Sequence, residues 1–303
     1  MIHGTHNAEH DPRNEHVLVY INNELLPRNQ AKISVFDSGY LVGDGVWEGI
    51  RLHKGKLVFA NDHFNRLWAA AKTTGIVLPF SKQQLIEKVD KTLAANKMHD
   101  NVHIRIMITR GIKKTPSQDP RLTISGPNLV IIAEHKKAAE SSKSKGIKLF
   151  TSTIRRGSPD YLDPKLNCHS KLHEVQALIQ AIEAGADEAL MLDINGFVST
   201  CNATNFFMIK NNEVYTSTGQ YCMNGITRQK VIEVCQANAI KCHQQNFSLY
   251  DTYNADEAFV TGTFGGLTPV SHIDGKTIGE GSNLVTQQLQ SLYQNLIQKA
   301  ING

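Results

Sequence analysis

No part of this sequence is apolar over a long stretch. Its apolar runs are far shorter than the roughly 20 residues that a membrane-spanning helix needs, so no membrane partner is expected. Residues 1–16 are rich in histidine, asparagine and charge, and they lack the apolar core of a signal peptide. We therefore expect a disordered leader over 1–16 in a cytoplasmic protein.

Cysteine is scarce and shows no pairing pattern. The chain has five cysteines, an odd number, without a Cys-x-x-Cys motif or the His/Cys spacing of a metal site. This usage excludes a disulfide framework and is typical of reduced thiols in the cytoplasm. The histidines of the leader are interpreted as part of its polar composition, so no metal ion is expected.

A strong excess of charge of one sign is also missing. The formal net charge is +4 over 303 residues, and the lysines and arginines are scattered. This distribution indicates a solvated surface and does not predict a nucleic-acid partner. Hydrophobic residues make up 41% of the chain, which is enough for real cores in one large or two medium domains.

Predicted strands and helices are mixed in both halves of the chain, which indicates an α/β or α+β protein of two domains. The composition shifts to Lys, Ser, Ala and Glu near 136–146, and this stretch is predicted to link the domains. The small N-terminal domain is then 17–135, and the large C-terminal domain is 147–303.

Three local patterns in the N-terminal half give testable elements. Residues 32–36 are predicted to form a short strand, and 63–74 an amphipathic helix that ends at Gly75. Ser81 is predicted to cap a second helix over 82–96, whose apolar residues recur at helical spacing.

Several residues suit an anion. Arg66 lies on the amphipathic helix, where it is either a solvated residue or a bidentate phosphate ligand. Thr227 follows Asn224-Gly225-Ile226 and is predicted to cap a helix whose free N–H groups bind an anion. Ala203-Thr204 could form a second small anion nest. Each feature alone is also explained by ordinary capping or turn chemistry.

The order of these motifs along the chain is more specific than any one of them. It resembles the class IV pyridoxal phosphate (PLP)-dependent aminotransferases over about residues 17–300. That family includes branched-chain and D-amino-acid aminotransferases and aminodeoxychorismate lyases. The motifs that carry the resemblance are Gly43–Arg51, His63–Leu67, Asp187–Ala189, Asn205–Phe206, Gly225–Arg228, Thr261–Thr263 and Thr268–Val270.

The resemblance implies the two-domain fold type IV, with a small N-terminal α/β domain and a larger C-terminal domain built on a mixed sheet. It also implies a homodimer, PLP as cofactor, and roles for individual residues. The implied cofactor-binding residues are Arg66, Thr200, Ala203, Thr204, Ile226, Thr227 and Thr263. The implied substrate-binding residues are Tyr40, Phe264 and either Arg105 or Arg110, the arginines facing a substrate carboxylate.

The family's cofactor-binding lysine has no direct counterpart. Its register falls close to Asn167, within Pro-Lys-Leu-Asn-Cys-His-Ser-Lys-Leu at 164–172. Lys171 lies one helical turn further on, about 5.4 Å along the axis, which the lysine stem can partly absorb. Lys165 lies two residues earlier, on the same side of an extended chain. Lys171 is the preferred catalytic lysine, Lys165 the alternative, and the third possibility is that neither bonds to PLP.

A second departure affects the PLP ring. The family has a glutamate that keeps the ring nitrogen protonated, and Thr200 stands in its place here. A threonine hydroxyl can hydrogen-bond that nitrogen but cannot hold a proton on it by charge. The expected function is transfer of an amino group between a small amino acid, branched-chain-like or D-, and a 2-oxo acid. The alternatives are a PLP-dependent lyase or a family member with altered or lost PLP chemistry.

Overall fold

The computed structural model describes residues 4–5, 8–137, 145–279 and 283–302, which form two compact units. The N-terminal unit comprises Glu9–Lys137 and Asn167–Lys171, and the other described residues form the C-terminal unit. The division near 137 lies close to the predicted boundary at 135. Most of the predicted linker, 138–144, lies outside the described residues.

The N-terminal unit is built on an antiparallel sheet of six strands within the described residues, in the order β2-β1-β6-β5-β3-β4. Along β5 the buried and half-buried positions alternate, and Ile104, Ile106 and Ile108 are fully buried. Because successive side chains point to opposite faces of a strand, one face of the sheet forms the core. The strands are β1 (Leu18–Ile21), β2 (Glu24–Pro27), β3 (Gly45–His53), β4 (Lys56–Leu57), β5 (Val102–Thr109) and β6 (Asn128–His135).

The helices of this unit are α1 (Ser38–Val42), α2 (Ala60–Thr73) and α3 (Lys82–Ala95). The predicted Ser81 cap is confirmed, because its side chain accepts from Gln84 N–H and the Gln84 side chain accepts from Ser81 N–H.

Two predictions for this end of the chain differ from the structure. The predicted strand at 32–36 is wrong: Asp37 N–H closes a turn on Ser34, and the Asp37 side chain then caps α1. Part of the expected disordered leader is ordered, since Pro12–His16 forms a 3₁₀-helix capped by Asp11. In the C-terminal unit, the Thr5 hydroxyl donates to the buried Glu188 carboxylate.

The C-terminal unit is built on a mixed sheet in the order β12-β11-β10-β13-β14-β7-β8-β9, with β15 beside β14. β7 runs parallel to both β14 and β8, and α4 connects β7 to β8. The strands are β7 (Ile147–Thr151), β8 (Glu188–Leu192), β9 (Val198–Cys201), β10 (Asn205–Lys210), β11 (Glu213–Thr216), β12 (Cys242–Gln244), β13 (Glu257–Gly262), β14 (Gly266–Ile273) and β15 (Lys276–Thr277). The helices are α4 (Leu172–Glu183), α5 (Ile226–Ala237), α6 (Leu249–Tyr253) and α7 (Leu284–Asn302).

Strand β8 of this second sheet is buried on both faces. Ala189, Leu190 and Met191 follow one another along β8, and all three are fully buried. A continuous buried run of this kind is typical of parallel strands with both faces covered. Among the described helices, none combines the length and apolar character needed to cross a membrane.

Candidate active site

A buried carboxylate joins β3 to α2 in the N-terminal unit. Glu48 is fully buried, and its two oxygens accept from Arg66 Nε at 2.6 Å and Arg66 Nη2 at 2.9 Å. His63 Nδ1 lies 2.7 Å from Glu48 Oε2. His63 and Arg66 reach the same carboxylate because residues three apart share a helix face. Two N–H groups of Arg66 are thereby fixed, which sets the orientation of its guanidinium.

Charge decides the protonation state of Glu48. Burial by itself raises the pKa of this carboxyl, but the charge and hydrogen bonds of Arg66, together with those of His63, outweigh it and lower the pKa. Glu48 is therefore ionised at neutral pH. The sequence motif Gly43–Arg51 contains Glu48 but does not predict its role. Its signal was an acidic residue inside an otherwise buried strand, followed by His-x-x-Arg on the next helix.

Asn167 hydrogen-bonds the segment 167–171 to β3. The Trp47 N–H donates to Asn167 O at 3.0 Å, and Asn167 Nδ2 donates to Trp47 O at 2.7 Å. Next to this pair, His169 N–H donates to Gly45 O at 2.9 Å. Asn167 is only 2% exposed, and its Oδ1 has no hydrogen-bond partner among the described residues. A buried, structurally engaged amide thus fills the position where the family pattern calls for a lysine.

The two candidate lysines differ in their surroundings. Lys171 is half-buried and ends the segment 167–171, directly before α4. Lys165 is exposed and belongs to the C-terminal unit, where its backbone N–H donates to Asp163 Oδ1 at 2.9 Å. A lysine that works inside a site must be partly desolvated, which favours Lys171.

The start of α5 has no side-chain cap. Its N-cap is Gly225, with φ −61° and ψ 140°. The predicted cap, Thr227, is instead the second residue of the helix. A Cβ on Gly225 would lie 2.3 Å from Asn205 Oδ1, which leaves room only for glycine there. The buried Thr227 side chain hydrogen-bonds the Tyr293 hydroxyl of α7. Backbone N–H groups without a side-chain cap at a helix start form an anion site.

Thr261 adds an unused hydroxyl to this region. It is 2% exposed on β13, and its Oγ1 has no hydrogen-bond partner among the described residues. Asn205 of β10 pairs with Thr261 and also donates from Nδ2 to Met223 O at 2.9 Å, just before the start of α5. Asn205 therefore links the strand that carries Thr261 to the uncapped helix.

Of the other predicted cofactor residues, Thr200 and Thr204 hydrogen-bond within the protein, and Ala203 and Thr263 are exposed or half-buried. Thr200 Oγ1 lies 2.7 Å from Thr204 O, and because a carbonyl only accepts, Thr200 must donate its hydrogen there. Thr204 Oγ1 donates to Glu188 Oε2 at 2.7 Å, while Ala203 is exposed. Thr263 follows β13 and is half-buried.

Arg105 and Arg110 are used differently. Arg110 donates to both Asp44 oxygens, at 2.6 Å and 3.0 Å, and to the carbonyls of Thr74 and Gly75. Arg105 stacks on the Trp47 ring, 3.8 Å from its centroid, and no hydrogen bond from its guanidinium is formed within the described residues. Burial lowers the pKa of Arg105, with Glu134 opposing that effect, and the group stays charged. Arg105 therefore keeps donors for a carboxylate.

The two predicted aromatic contacts have opposite environments. Tyr40, on α1, is 76% exposed, whereas Phe264 is 7% exposed in the turn between β13 and β14. No cluster of three or more metal-ligating side chains occurs in the described part of the chain.

Residues 45–273 match the family model of amino-transferase class IV. The chain belongs to the class IV aminotransferase family. The Arabidopsis thaliana branched-chain-amino-acid aminotransferase-like protein 2 is 41% identical over 94% of this chain, which spans 51% of that relative. A putative branched-chain-amino-acid aminotransferase of Methanocaldococcus jannaschii is 35% identical, over 92% of this chain and 96% of its own length.

The fold agrees with this family. The crystal structure of the T.th. branched-chain amino acid aminotransferase with pyridoxamine 5'-phosphate superimposes with a TM-score of 0.87 at 27% identity, covering 94% of this chain and 95% of that one. The expected fold type IV architecture, with mixed sheets and two units, is thereby confirmed for the class IV protein described here.

Proposed function

We propose that this class IV chain is a PLP-dependent aminotransferase that exchanges the amino group of a small amino acid with a 2-oxo acid. The observation that carries the proposal is the start of α5, where uncapped N–H groups lie near the unpartnered Thr261 hydroxyl. A phosphate monoester dianion fits such a donor set. The aminotransferase names of its relatives and the matching fold support the same choice.

The residues present fit the phosphate of PLP. In the C-terminal unit, Ile226 and Thr227 would donate their backbone N–H groups and Thr261 its hydroxyl. In the N-terminal unit, Arg66, whose guanidinium Glu48 orients, is proposed as a cofactor residue from the family pattern. When bound, PLP would supply an electron sink for the substrate's Cα–H bond.

Lys171 would have two tasks. Its Nζ would hold the cofactor covalently between turnovers, and it would then carry the proton from the substrate's Cα as a general base. Four methylenes of its side chain must cover the displacement from the position that Asn167 occupies.

Substrate recognition is assigned to Arg105. Its guanidinium lies over the Trp47 ring, 3.8 Å from the centroid, and its planar set of N–H groups suits a carboxylate. Arg110 is proposed instead to fasten the turn at Asp44, because its donors are engaged there and on Thr74 and Gly75.

A homodimer is the proposed assembly. On α4, Leu172, Val175, Ile179 and Ile182 are 48–70% exposed at spacings of three and four residues. Such an apolar stripe is unfavourable in water and suits burial against a second copy. Sedimentation velocity should show a dimer that Ile179→Glu converts to monomer, while the exposed polar change Gln176→Glu leaves it intact. The five unpaired cysteines are consistent with the proposed cytoplasmic location.

The geometry of Thr200 favours a second function, namely PLP chemistry that needs less carbanion stabilisation than fast transamination does. Its hydroxyl hydrogen points to Thr204 O, so the ring nitrogen would have neither a carboxylate nor this donor. Weak activation of the ring suits slow transamination or PLP chemistry that needs less carbanion stabilisation.

Borohydride reduction in the presence of PLP tests the lysine assignment. The reagent fixes PLP to the amine that holds it, and trypsin then fails to cleave after the labelled lysine. We expect label on Lys171, lost in Lys171→Ala and kept in Lys165→Ala, with transamination at least about 10²-fold lower in Lys171→Ala. Label on Lys165, or on no lysine, would contradict the assignment. Keto acid formed only with an amino acceptor identifies the transaminase, whereas pyruvate without an acceptor identifies a lyase.

A further inference from the structure

A buried carboxylate at the start of β8 depends on the N-terminal segment of the chain. Glu188 is 3% exposed, and its hydrogen-bond donors among the described residues are all neutral. The Thr5 N–H donates to Glu188 Oε1 at 3.3 Å, and the Thr5 hydroxyl donates to the same oxygen. The Thr204 hydroxyl donates to Glu188 Oε2 at 2.7 Å. Because a buried carboxylate needs its donors, Glu188 ties Thr5 and Thr204 to one another.

Residues 4–5 also pack against a turn of the candidate site. Gly4 and Thr5 are both buried. A Cβ on Gly265 would lie 3.3 Å from Thr5 O and 3.5 Å from Thr5 Cβ, so Thr5 lies against the turn between β13 and β14. Thr263 and Phe264 belong to this turn, and they are predicted cofactor-binding and substrate-binding residues. Thr5 therefore joins β8 to the turn that carries them.

The hydrogen bonds of Thr204 continue towards the start of α5. Thr204 O accepts from the Thr200 hydroxyl at 2.7 Å and from the Cys201 N–H at 2.9 Å, which fixes the turn between β9 and β10. Asn205 is the next residue, and its Nδ2 donates to Met223 O at 2.9 Å, just before the start of α5. All these residues lie in the C-terminal unit, as does Thr5. The contacts from the N-terminal segment to the uncapped helix thus run within one compact unit.

We propose that Thr5 is a positioning residue for the cofactor-binding region of the C-terminal unit. Its two donors hold the Glu188 carboxylate where it anchors Thr204, and Thr204 in turn sets the strand that carries Asn205 to the uncapped end of α5. A buried polar network that is fully satisfied fixes one arrangement of its members, and the loss of one donor loosens the others. The inference rests on the proposed function, since it assigns Thr5 a part in PLP binding.

Thr5→Val tests this role, because it removes the hydroxyl and keeps the backbone N–H. Titration of the full chain with PLP should show about fivefold weaker binding than in the wild type, the effect of one lost hydrogen bond. Thr5→Ser restores the hydroxyl and should recover the wild-type affinity. Equal affinity in the wild type and Thr5→Val, or no recovery in Thr5→Ser, would overturn the proposal.

Amide hydrogen exchange of the chain without PLP provides a second readout. The Cys201 N–H bonds to Thr204 O, and the Asn202 N–H bonds to Ala189 O. Both amides should exchange about fivefold faster in Thr5→Val, because the turn between β9 and β10 opens more often. If the wild type failed to bind PLP while this exchange result held, the proposed function would fail and the control of this turn by Thr5 would stand.

Thr252→Val is the matched control for a general loss of stability. Thr252 is fully buried on α6 of the same unit, and its hydroxyl donates to Ser248 O at 2.9 Å. This variant should lose a comparable amount of stability, with unchanged PLP affinity and faster exchange confined to the region of α6. Equal changes at Cys201 and Asn202 in Thr5→Val and Thr252→Val would reduce Thr5 to an ordinary stabilising contact and overturn the proposal.

Discussion

The proposed phosphate-binding residues and the lysine segment follow the class IV pattern to different degrees. Arg66 and the start of α5 keep the family's residue types, and both are tied into buried structure by Glu48 and Asn205. Asn167 and Thr200 replace the residues that would bond the cofactor and charge its ring. The N–H groups at the start of α5 and the Glu48–Arg66 ion pair are each part of the fold of their own unit, so the loss of either destabilises the protein. Side chains that serve only the chemistry can change without that penalty.

Removing the Glu48 carboxylate should have the largest effect, because it removes the group that fixes Arg66 in the N-terminal unit. Glu48→Ala takes this carboxylate away from the buried His63 and the half-buried Arg66, and breaking a buried ion pair costs about 3–5 kcal/mol. Chemical denaturation should register this loss, and PLP titration should show weaker binding. Glu24→Ala, an exposed carboxylate on β2 of the same sheet, is the matched control. Unchanged stability and PLP affinity in Glu48→Ala would mean that the Glu48–Arg66 pair is no more tied to the fold than Asn167 and Thr200 are.

A carboxylate at position 200 tests the second region of the comparison, in which Thr200 replaces the family's glutamate. Thr200→Glu is expected to raise the transamination rate by about tenfold, or roughly 1.4 kcal/mol in the barrier, because it would keep the ring nitrogen protonated. Thr200→Val is the control: it removes a hydroxyl engaged with Thr204 O, so it should lower stability by about 1 kcal/mol and leave the rate unchanged. A rate lowered by Thr200→Val would instead mean that the hydroxyl serves the ring.

Thr261→Val separates cofactor binding from stability. The Thr261 hydroxyl has no partner within the described residues, so its replacement by a methyl should leave stability equal or slightly higher. PLP affinity should fall about fivefold to tenfold through the lost phosphate contact. The matched control is Thr216→Val on β11, whose hydroxyl donates to Phe206 O at 2.8 Å. That variant should lose about 1 kcal/mol of stability with unchanged PLP affinity. Lower stability with unchanged PLP affinity in Thr261→Val, and the reverse in Thr216→Val, would contradict the proposed phosphate contact of Thr261.

The smallest expected effect is on the pH dependence of stability. The pKa of Glu48 is lowered from its ordinary value of 4.5, so the folded state favours the ionised form. The resulting stability is fully present above pH 4.5 and is lost as the pH falls below that value. Denaturation midpoints between pH 6 and 3 should therefore decline more steeply in the wild type than in Glu48→Gln. Parallel curves would mean that Glu48 is not ionised.

Part of the candidate site could be predicted from the sequence. The Ser81 cap, the α2 helix with Arg66, and the family membership rest on local spacing and motif order, which are properties of the chain itself. The N-cap could not be predicted from the type of Thr227. Contact with Asn205 on a distant strand requires glycine at 225, and the cap is Gly225, two residues before the predicted Thr227.

What the sequence determined by itself is the family, the order of the elements and the two substitutions at Asn167 and Thr200. What only the tertiary structure decided is how individual side chains are used. Arg105 and Arg110 are similar in sequence context, yet one stacks on Trp47 and the other is consumed by Asp44. Hydrogen-bond partners far apart in the chain are chosen by packing, and no local pattern in the sequence encodes them.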